Sequence, residues 1–219
     1  MSAMAILAPS LLSADFLRLY EALEIVNKSS VEWLHLDIMD GVFVPNISFG
    51  FPVLAAVQKN CQKPMDVHLM IVEPDRYIER FVKHGAFNIS VHYEACPHLH
   101  RTIQNIHSYG IKAGVAINPH TSVNLLEDII QDIEVVCLMS VNPGFGGQKF
   151  IEHTYSKIDK LKNLIIQKNS KALIEIDGGV DANNIQALVK AGADVLVAGN
   201  SIFGQKDIAA AIKHIYQLM

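Results

Sequence analysis

Arginine is scarce in this sequence: Arg18, Arg76, Arg80 and Arg101 are the only four among 219 residues. All four fall in stretches with helical character, so an anionic ligand cannot be met by an arginine clamp at a strand end. Its charge has to be taken largely by backbone amides. Net charge is −4 and there is no basic stripe, which excludes a nucleic-acid footprint. Cysteine is equally sparse. Cys61, Cys96 and Cys137 lie far apart with no CxxC pair, which excludes a disulfide framework and points to a reducing, cytoplasmic setting. Long apolar runs are missing too: none reaches the ~18 residues that span a bilayer, so no membrane partner is expected. The opening MSAMAILAPSLLSADF has no basic stretch and meets Asp15 too early for a secretory signal. The 13 Gly and 8 Pro form no linker block, and one domain over 1–219 is expected.

Half of the chain is apolar, and its pattern is regular. Eight short β-rich runs occur at 6–10, 33–39, 65–70, 88–93, 112–118, 135–141, 172–177 and 194–199. Helical patterns separate them. In 15–29, Phe16, Leu19, Tyr20, Leu23 and Val26 follow the spacing of one helix face. In 73–85, Pro74 falls in the opening turn and Gly85 follows the last one. KHGAFNISV, SYGIKAGVAI and KAGADVLVA repeat one punctuation: helix end, glycine, short loop, strand. Strict βα alternation implies a parallel sheet covered by helices, and eight units in this length fit a small (β/α)8 TIM barrel of the α/β class. An open doubly wound sheet would carry a glycine fingerprint after its first strand, where this chain has PSLLSADF.

In such a barrel the chemistry sits at the C-terminal strand ends. Strand one ends at Ser10. Strand two carries His35 and Asp37 on one face, and strand three carries His68 with Asp66 and Met70. Strand seven ends at Asp177. Any single histidine here is readily explained as a hydrogen-bonded core residue. An unpaired buried carboxylate is costly, however, and two imidazoles with two carboxylates from three strands make a mixed N/O donor set. That set suits zinc, iron, manganese or cobalt.

Glycine marks the same rim: Asn142-Pro143-Gly144-Phe145-Gly146-Gly147-Gln148 follows strand six, Gly178-Gly179 strand seven, and Gly199-Asn200-Ser201 strand eight. Three such loops in succession, in a chain short of arginine, predict a phosphate cradle of backbone N–H groups. Met39, Met70 and Met139 near strand ends suggest a water-poor, polarizable wall. His92 on strand four is as compatible with packing as with lining the site. His84, His98, His100 and His107 read as helix or loop surface residues. Lys112 lies at the wrong end of its strand for a Schiff base.

The segments PSLLSADF (9–16), HLDIMDGVFVPNISFG (35–50), DVHLM (66–70), MSVNPGFGGQKF (139–150) and EIDGGV (175–180) together resemble the ribulose-phosphate 3-epimerase family, in family order and over nearly the whole chain. The resemblance implies a phosphosugar epimerase of the pentose phosphate pathway. Its one divalent metal ion, zinc first with iron, manganese or cobalt as alternatives, would be held by His35, Asp37, His68 and Asp177. Asp37 and Asp177 would double as acid and base, and Ser10 would hydrogen-bond the substrate. His68 and the three methionines would border the substrate. Gly144, Phe145, Gly146, Gly147, Gly178, Gly179, Gly199, Asn200 and Ser201 would hold its phosphate. Relatives form dimers or larger rings, which implies a homo-oligomer. One departure is Asn200, where relatives usually carry Ser or Thr; a backbone contact survives that change, a hydroxyl contact does not. The alternatives are an epimerase of a related ketose phosphate such as allulose 6-phosphate, a metal-dependent phosphosugar lyase or decarboxylase, and a binding module without catalysis.

Overall fold

The computed structural model describes residues 5–219. Eight parallel strands appear in it: β1 (Ile6–Pro9), β2 (Leu34–Met39), β3 (Met65–Met70), β4 (Ala86–His92), β5 (Lys112–Ile117), β6 (Val135–Met139), β7 (Leu173–Asp177) and β8 (Val195–Ala198). Each pairs with its sequence neighbour, and β8 returns to pair with β1. A single parallel bridge between Ser10 and His35 joins β1 to β2 and closes the barrel. The expected (β/α)8 architecture is therefore the observed one. The strands are buried almost throughout, because helices cover the outside while side chains fill the inside.

The outer layer holds α1 (Leu19–Lys28), α2 (Phe51–Asn60), α3 (Ile78–Lys83), α4 (Leu99–Ser108), α5 (Thr154–Gln167), α6 (Ile185–Ala191), the single-turn α7 (Asn200–Phe203) and α8 (Ile208–Leu218). Their buried faces follow helical spacing, as with Leu99, Thr102, Ile103 and Ile106 of α4. Fully burying each such aliphatic side chain contributes roughly 1.5–3 kcal/mol. Gly85, Gly110 and Gly192 close three helix ends at φ +85°, +73° and +114°, as the repeated punctuation predicts. Among the described residues, no helix is long and apolar enough to cross a membrane.

The alternation fails once. Residues 118–134 carry no α-helix, only the 3-10 turns Val123–Leu126 and Ile130–Asp132. Pro119 interrupts the start, and side chains satisfy the backbone instead. Lys157 of α5 donates to the carbonyls of Asn118 (2.6 Å) and Pro119 (3.4 Å), and Ser122 Oγ accepts from the Asn124 amide. An extra helix, α7, appears directly after β8, where the sequence pattern suggests only a turn.

The barrel interior is layered. Trp33 and Val135 close the bottom of the barrel, and Ala8, Val195 and Val197 carry the same apolar cluster upward along β1 and β8, with Val197 beside Asp177. Lys112 caps the bottom, its Nζ 4.6 Å from the Phe87 ring centre, far from the strand ends. Above Trp33 and Val135 lies a polar layer of His35, Asp66, Asn88, Ser90 and Glu175, all fully buried. Space there is tight: a Cβ built on Gly114 of β5 would overlap Ser90 Oγ. We expect Gly114→Ala to cost about 1–3 kcal/mol of stability in urea unfolding, the usual penalty of overpacking. Adding Ser90→Gly should recover part of that loss. Strictly additive losses would show that this contact is not the cause.

Candidate active site

Strands β2 and β3 pair without a slip, which sets His35 beside Asp66, Asp37 beside His68 and Met39 beside Met70. The alternation read from the sequence therefore becomes three stacked pairs climbing toward the barrel mouth. Asp177, the last residue of β7, meets them from across β1 and β8. His68 Nδ1 lies 3.1 Å from Asp37 Oδ1 and 3.2 Å from Asp177 Oδ2. His35 Nε2 lies 3.3 Å from Asp37 Oδ1 and 3.9 Å from Asp177 Oδ2. One donor atom from each of the four residues falls within 4.8 Å of the others. Ser10 Oγ donates to the second oxygen of Asp37 at 2.6 Å.

This cluster could hold a divalent metal ion. Its donors are two imidazoles and two carboxylates, all buried, converging from three strands. The electrostatics suit a cation. Burial alone would lower the pKa of His35, but Asp37 and Asp66 outweigh it and hold it well above its ordinary value. His68 is likewise pulled down by burial, yet Asp177 and Asp37 raise it to about 9. Burial works against the Asp37 carboxylate, and His35 and His68 overcome it, keeping that carboxyl ionised far below the usual range.

The outward nitrogens of both histidines are occupied. His35 Nδ1–H donates to Asp66 Oδ2 at 2.7 Å, and Asn88 Nδ2 donates to the other Asp66 oxygen at 2.6 Å. His68 Nε2 faces His92 Nε2 at 2.9 Å, and His92 Nδ1 faces Glu94 Oε2 at 3.2 Å. Burial lowers the His92 pKa to about 4. Glu94 is pushed up by burial but brought down to about 2 by His92, Thr121 and the Asn118 amide. His92 is fully buried and does not line the cleft, which resolves the two readings of it in favour of packing behind the site. His84 is half-buried against the Phe51 ring, His98 and His100 are exposed, and His107 pairs with Glu134.

Above the cluster opens a cleft of about 1040 Å³. Ser10, Asp37, Met39, Met70, Met139 and Asp177 line it, with Pro143 to Gln148, Gly178, Gly179, Gly199, Asn200 and Ser201 of the glycine loops; Asn142 of those loops does not. His35 and His68 lie beneath it at 0% exposure, so neither forms its wall. The loops are individually braced. Asn46 Nδ2 donates to the Gly144 carbonyl at 2.7 Å, tying the loop after β2 to the one after β6, and Gln148 Nε2 donates to Asn142 and Phe145 carbonyls. Gly179 has φ +64°, and a Cβ there would stand 2.8 Å from the Phe150 amide nitrogen, so only glycine fits. Ser201 Oγ is spent on the Val180 carbonyl at 2.9 Å. The Asn200 carboxamide folds back against Gly204. With the Ser201 proton committed, this turn offers an anion its backbone N–H groups, beside the Asn200 carboxamide that lines the cleft.

Two features escape the sequence reading. Glu175, opposite Cys137 in the β6–β7 register, is fully buried with neither oxygen hydrogen-bonded, and burial together with Asp66 raises its pKa strongly. With His35 and Asp66 it makes a second tight acidic group under the first. Its signal was its place two residues before Asp177, on the same strand face. Glu94 is the other, a loop carboxylate whose neighbours in sequence give no hint of its use.

Comparison with known proteins agrees with this geometry. The family model described as "Ribulose-phosphate 3 epimerase family" matches residues 6–203. A ribulose-phosphate 3-epimerase of Bacillus subtilis is 51% identical over 209 residues, spanning 95% of this chain and 96% of the relative. One from Aquifex aeolicus is 47% identical over 216 residues, covering 99% and 97%. Among solved structures, the KGPDC of Streptococcus mutans superposes with a TM-score of 0.75 over 99% of this chain and 97% of its own, at 12% identity. That likeness speaks for the barrel alone. The identities and coverage go further: the chain belongs to the ribulose-phosphate 3-epimerase family.

Proposed function

We propose that the protein interconverts D-ribulose 5-phosphate and D-xylulose 5-phosphate by two-base proton transfer at C3 through a 2,3-enediolate. The observation that carries this reading is the pair of carboxylates, Asp37 and Asp177, on separate strands yet both within 3.2 Å of one histidine nitrogen. Inverting a carbon needs an acid and a base on opposite faces of a planar intermediate, and this pair can supply them. The names of the relatives supply the substrate. The whole chain is proposed to act as one catalytic domain.

The residues divide the work. His35, Asp37, His68 and Asp177 would hold the metal, zinc first by donor set, with iron, manganese or cobalt as alternatives. Bound there, a divalent ion supplies Lewis-acid stabilisation of the negative charge that builds on the substrate oxygens. One aspartate takes the C3 proton, and the other returns one to the far face. Ser10, already donating to Asp37, is placed to hydrogen-bond the substrate and to keep that carboxylate oriented. Met39, Met70 and Met139 exclude water, so protons pass through the aspartates rather than the solvent. The amides of the 144–147 loop, Gly178, Gly179 and the Gly199–Ser201 turn cradle the phosphate. The committed Ser201 hydroxyl supports backbone binding.

A cytoplasmic setting is part of the reading, supported by the free thiols of Cys61, Cys96 and Cys137. So is a homo-oligomer, supported by Leu17, Tyr20 and Ile47, which are 96%, 61% and 75% exposed. An allulose 6-phosphate epimerase and a phosphosugar lyase are the competing activities, and the lyase draws only on fold likeness.

Ribulose 5-phosphate in D₂O separates these activities. The expected product is xylulose 5-phosphate with deuterium at C3, followed by NMR, whereas fragments would establish a lyase. Asp37→Asn and Asp177→Asn should each lower kcat by about 10²–10⁴-fold, the usual weight of acid–base assistance. Full activity in either variant would rule out the two-base scheme. Exhaustive chelation should abolish turnover, and restoring single metals in turn, with elemental analysis of the purified protein, identifies the working ion. Undiminished turnover in a verified metal-free sample would remove the metal from the reading.

A further inference from the structure

We propose that His92, anchored by Glu94, is a positioning residue that fixes which nitrogen of His68 faces the carboxylate cluster. This rests on the reading of His68 as a metal ligand and extends it to residues that reading does not use. Glu94 Oε1 already accepts from the Asn118 amide at 2.9 Å and from the Thr121 hydroxyl. Both donors come from the irregular 118–134 segment, and they leave Glu94 an acceptor. Its other oxygen, 3.2 Å from His92 Nδ1, therefore calls for a proton on that nitrogen.

His92 itself is fully buried, between the Phe43 ring at 4.6 Å and the stacked His68 ring at 5.0 Å. In that apolar slot it carries one ring proton, and Nδ1 has claimed it. His92 Nε2 is then a bare acceptor, 2.9 Å from His68 Nε2. Two ring nitrogens at that distance share a single proton, which must belong to His68 Nε2. His68 Nδ1 is then the nitrogen that faces Asp37 and Asp177, at 3.1 and 3.2 Å, and the one whose proton a metal ion would displace while Nε2 keeps its own. On the other side of the cluster Asp66 claims the Nδ1 proton of His35, so His35 turns Nε2 inward. The two histidines thus present opposite nitrogens, each selected by an acceptor behind it. Such acceptors orient a ligand ring and raise its basicity, and losing one typically costs 10–100-fold in metal affinity.

The test measures zinc affinity of the metal-freed full chain by competition with a chromophoric chelator, with folding checked by circular dichroism. His92→Leu fills the slot without an acceptor and should weaken zinc binding by about 10–100-fold. His92→Gln can accept from His68 through its carbonyl and donate to Glu94 through its amide, and should restore most of that loss. In wild-type protein carrying NMR-active cadmium and nitrogen-labelled histidine, scalar coupling is expected to His68 Nδ1 and His35 Nε2. Coupling to His68 Nε2 overturns the proposal whatever the variants do. So does unchanged zinc affinity in His92→Leu, or an equal loss in both variants. Wild-type protein that binds no zinc, or binds it equally well after His68→Ala, would instead bring down the metal reading and this proposal with it.

Discussion

Asp37 is an anion with 4% of its surface exposed, and the mouth of the barrel is arranged around keeping it charged. Three more carboxyl groups share the interior: Asp66, Glu175 and Asp177. Two unit charges 4 Å apart repel by about 4 kcal/mol at the effective dielectric of a protein. Among the described residues no lysine or arginine pairs with any of the four. The relief comes from elsewhere. Glu175 gives up its charge, its pKa raised by burial and by Asp66. His35 and His68 take on charge. The two protons that these rings direct into the cluster carry together the charge of one divalent ion. A site balanced for those protons is equally balanced for a metal that displaces them, which is why the donor set and the electrostatics point the same way.

The placement of these groups follows from how parallel strands share side chains. Alternation sends every second residue inward, and an unslipped register lines up successive strands. The β2–β3 pairs then order themselves by height: His35 and Asp66 low, Asp37 and His68 above, Met39 and Met70 at the rim. Height sets function here. The lowest pair is dry and hydrogen-bonded, the middle pair meets Asp177, and the thioethers border the cleft. The bottom of the barrel carries none of this and is closed by apolar packing around Trp33. Stability and chemistry are thereby assigned to opposite ends of the same strands.

Alternation is a property of one strand, and so it was legible. The inward faces of β2 and β3, the place of Asp177 at the end of β7, the three helix-ending glycines and the glycine loops of the rim all followed from residue order alone. Register is a property of two strands, and no local pattern encodes it. Nothing in the order of residues says that Asp66 stands beside His35, or that Glu175 stands beside Cys137. His92 remained open for the same reason: it ends β4, and only the stagger of β4 against β3 brings its ring to His68. The segment 118–134 misled for another reason. Its apolar residues keep a helical spacing, but the carbonyls of Asn118 and Pro119 are bonded by a buried lysine two elements away, and a long-range contact of that kind outweighs local propensity.

That irregular segment bears on the site as well. Its Asn118 amide and Thr121 hydroxyl both donate to Glu94, the carboxylate that faces His92. Lys157 secures the arrangement from α5 by bonding the carbonyl side of the same loop. The missing helix and the histidine pair behind the cluster are therefore connected. One backbone and one side-chain donor of the irregular segment thus hold the carboxylate that faces the histidine pair.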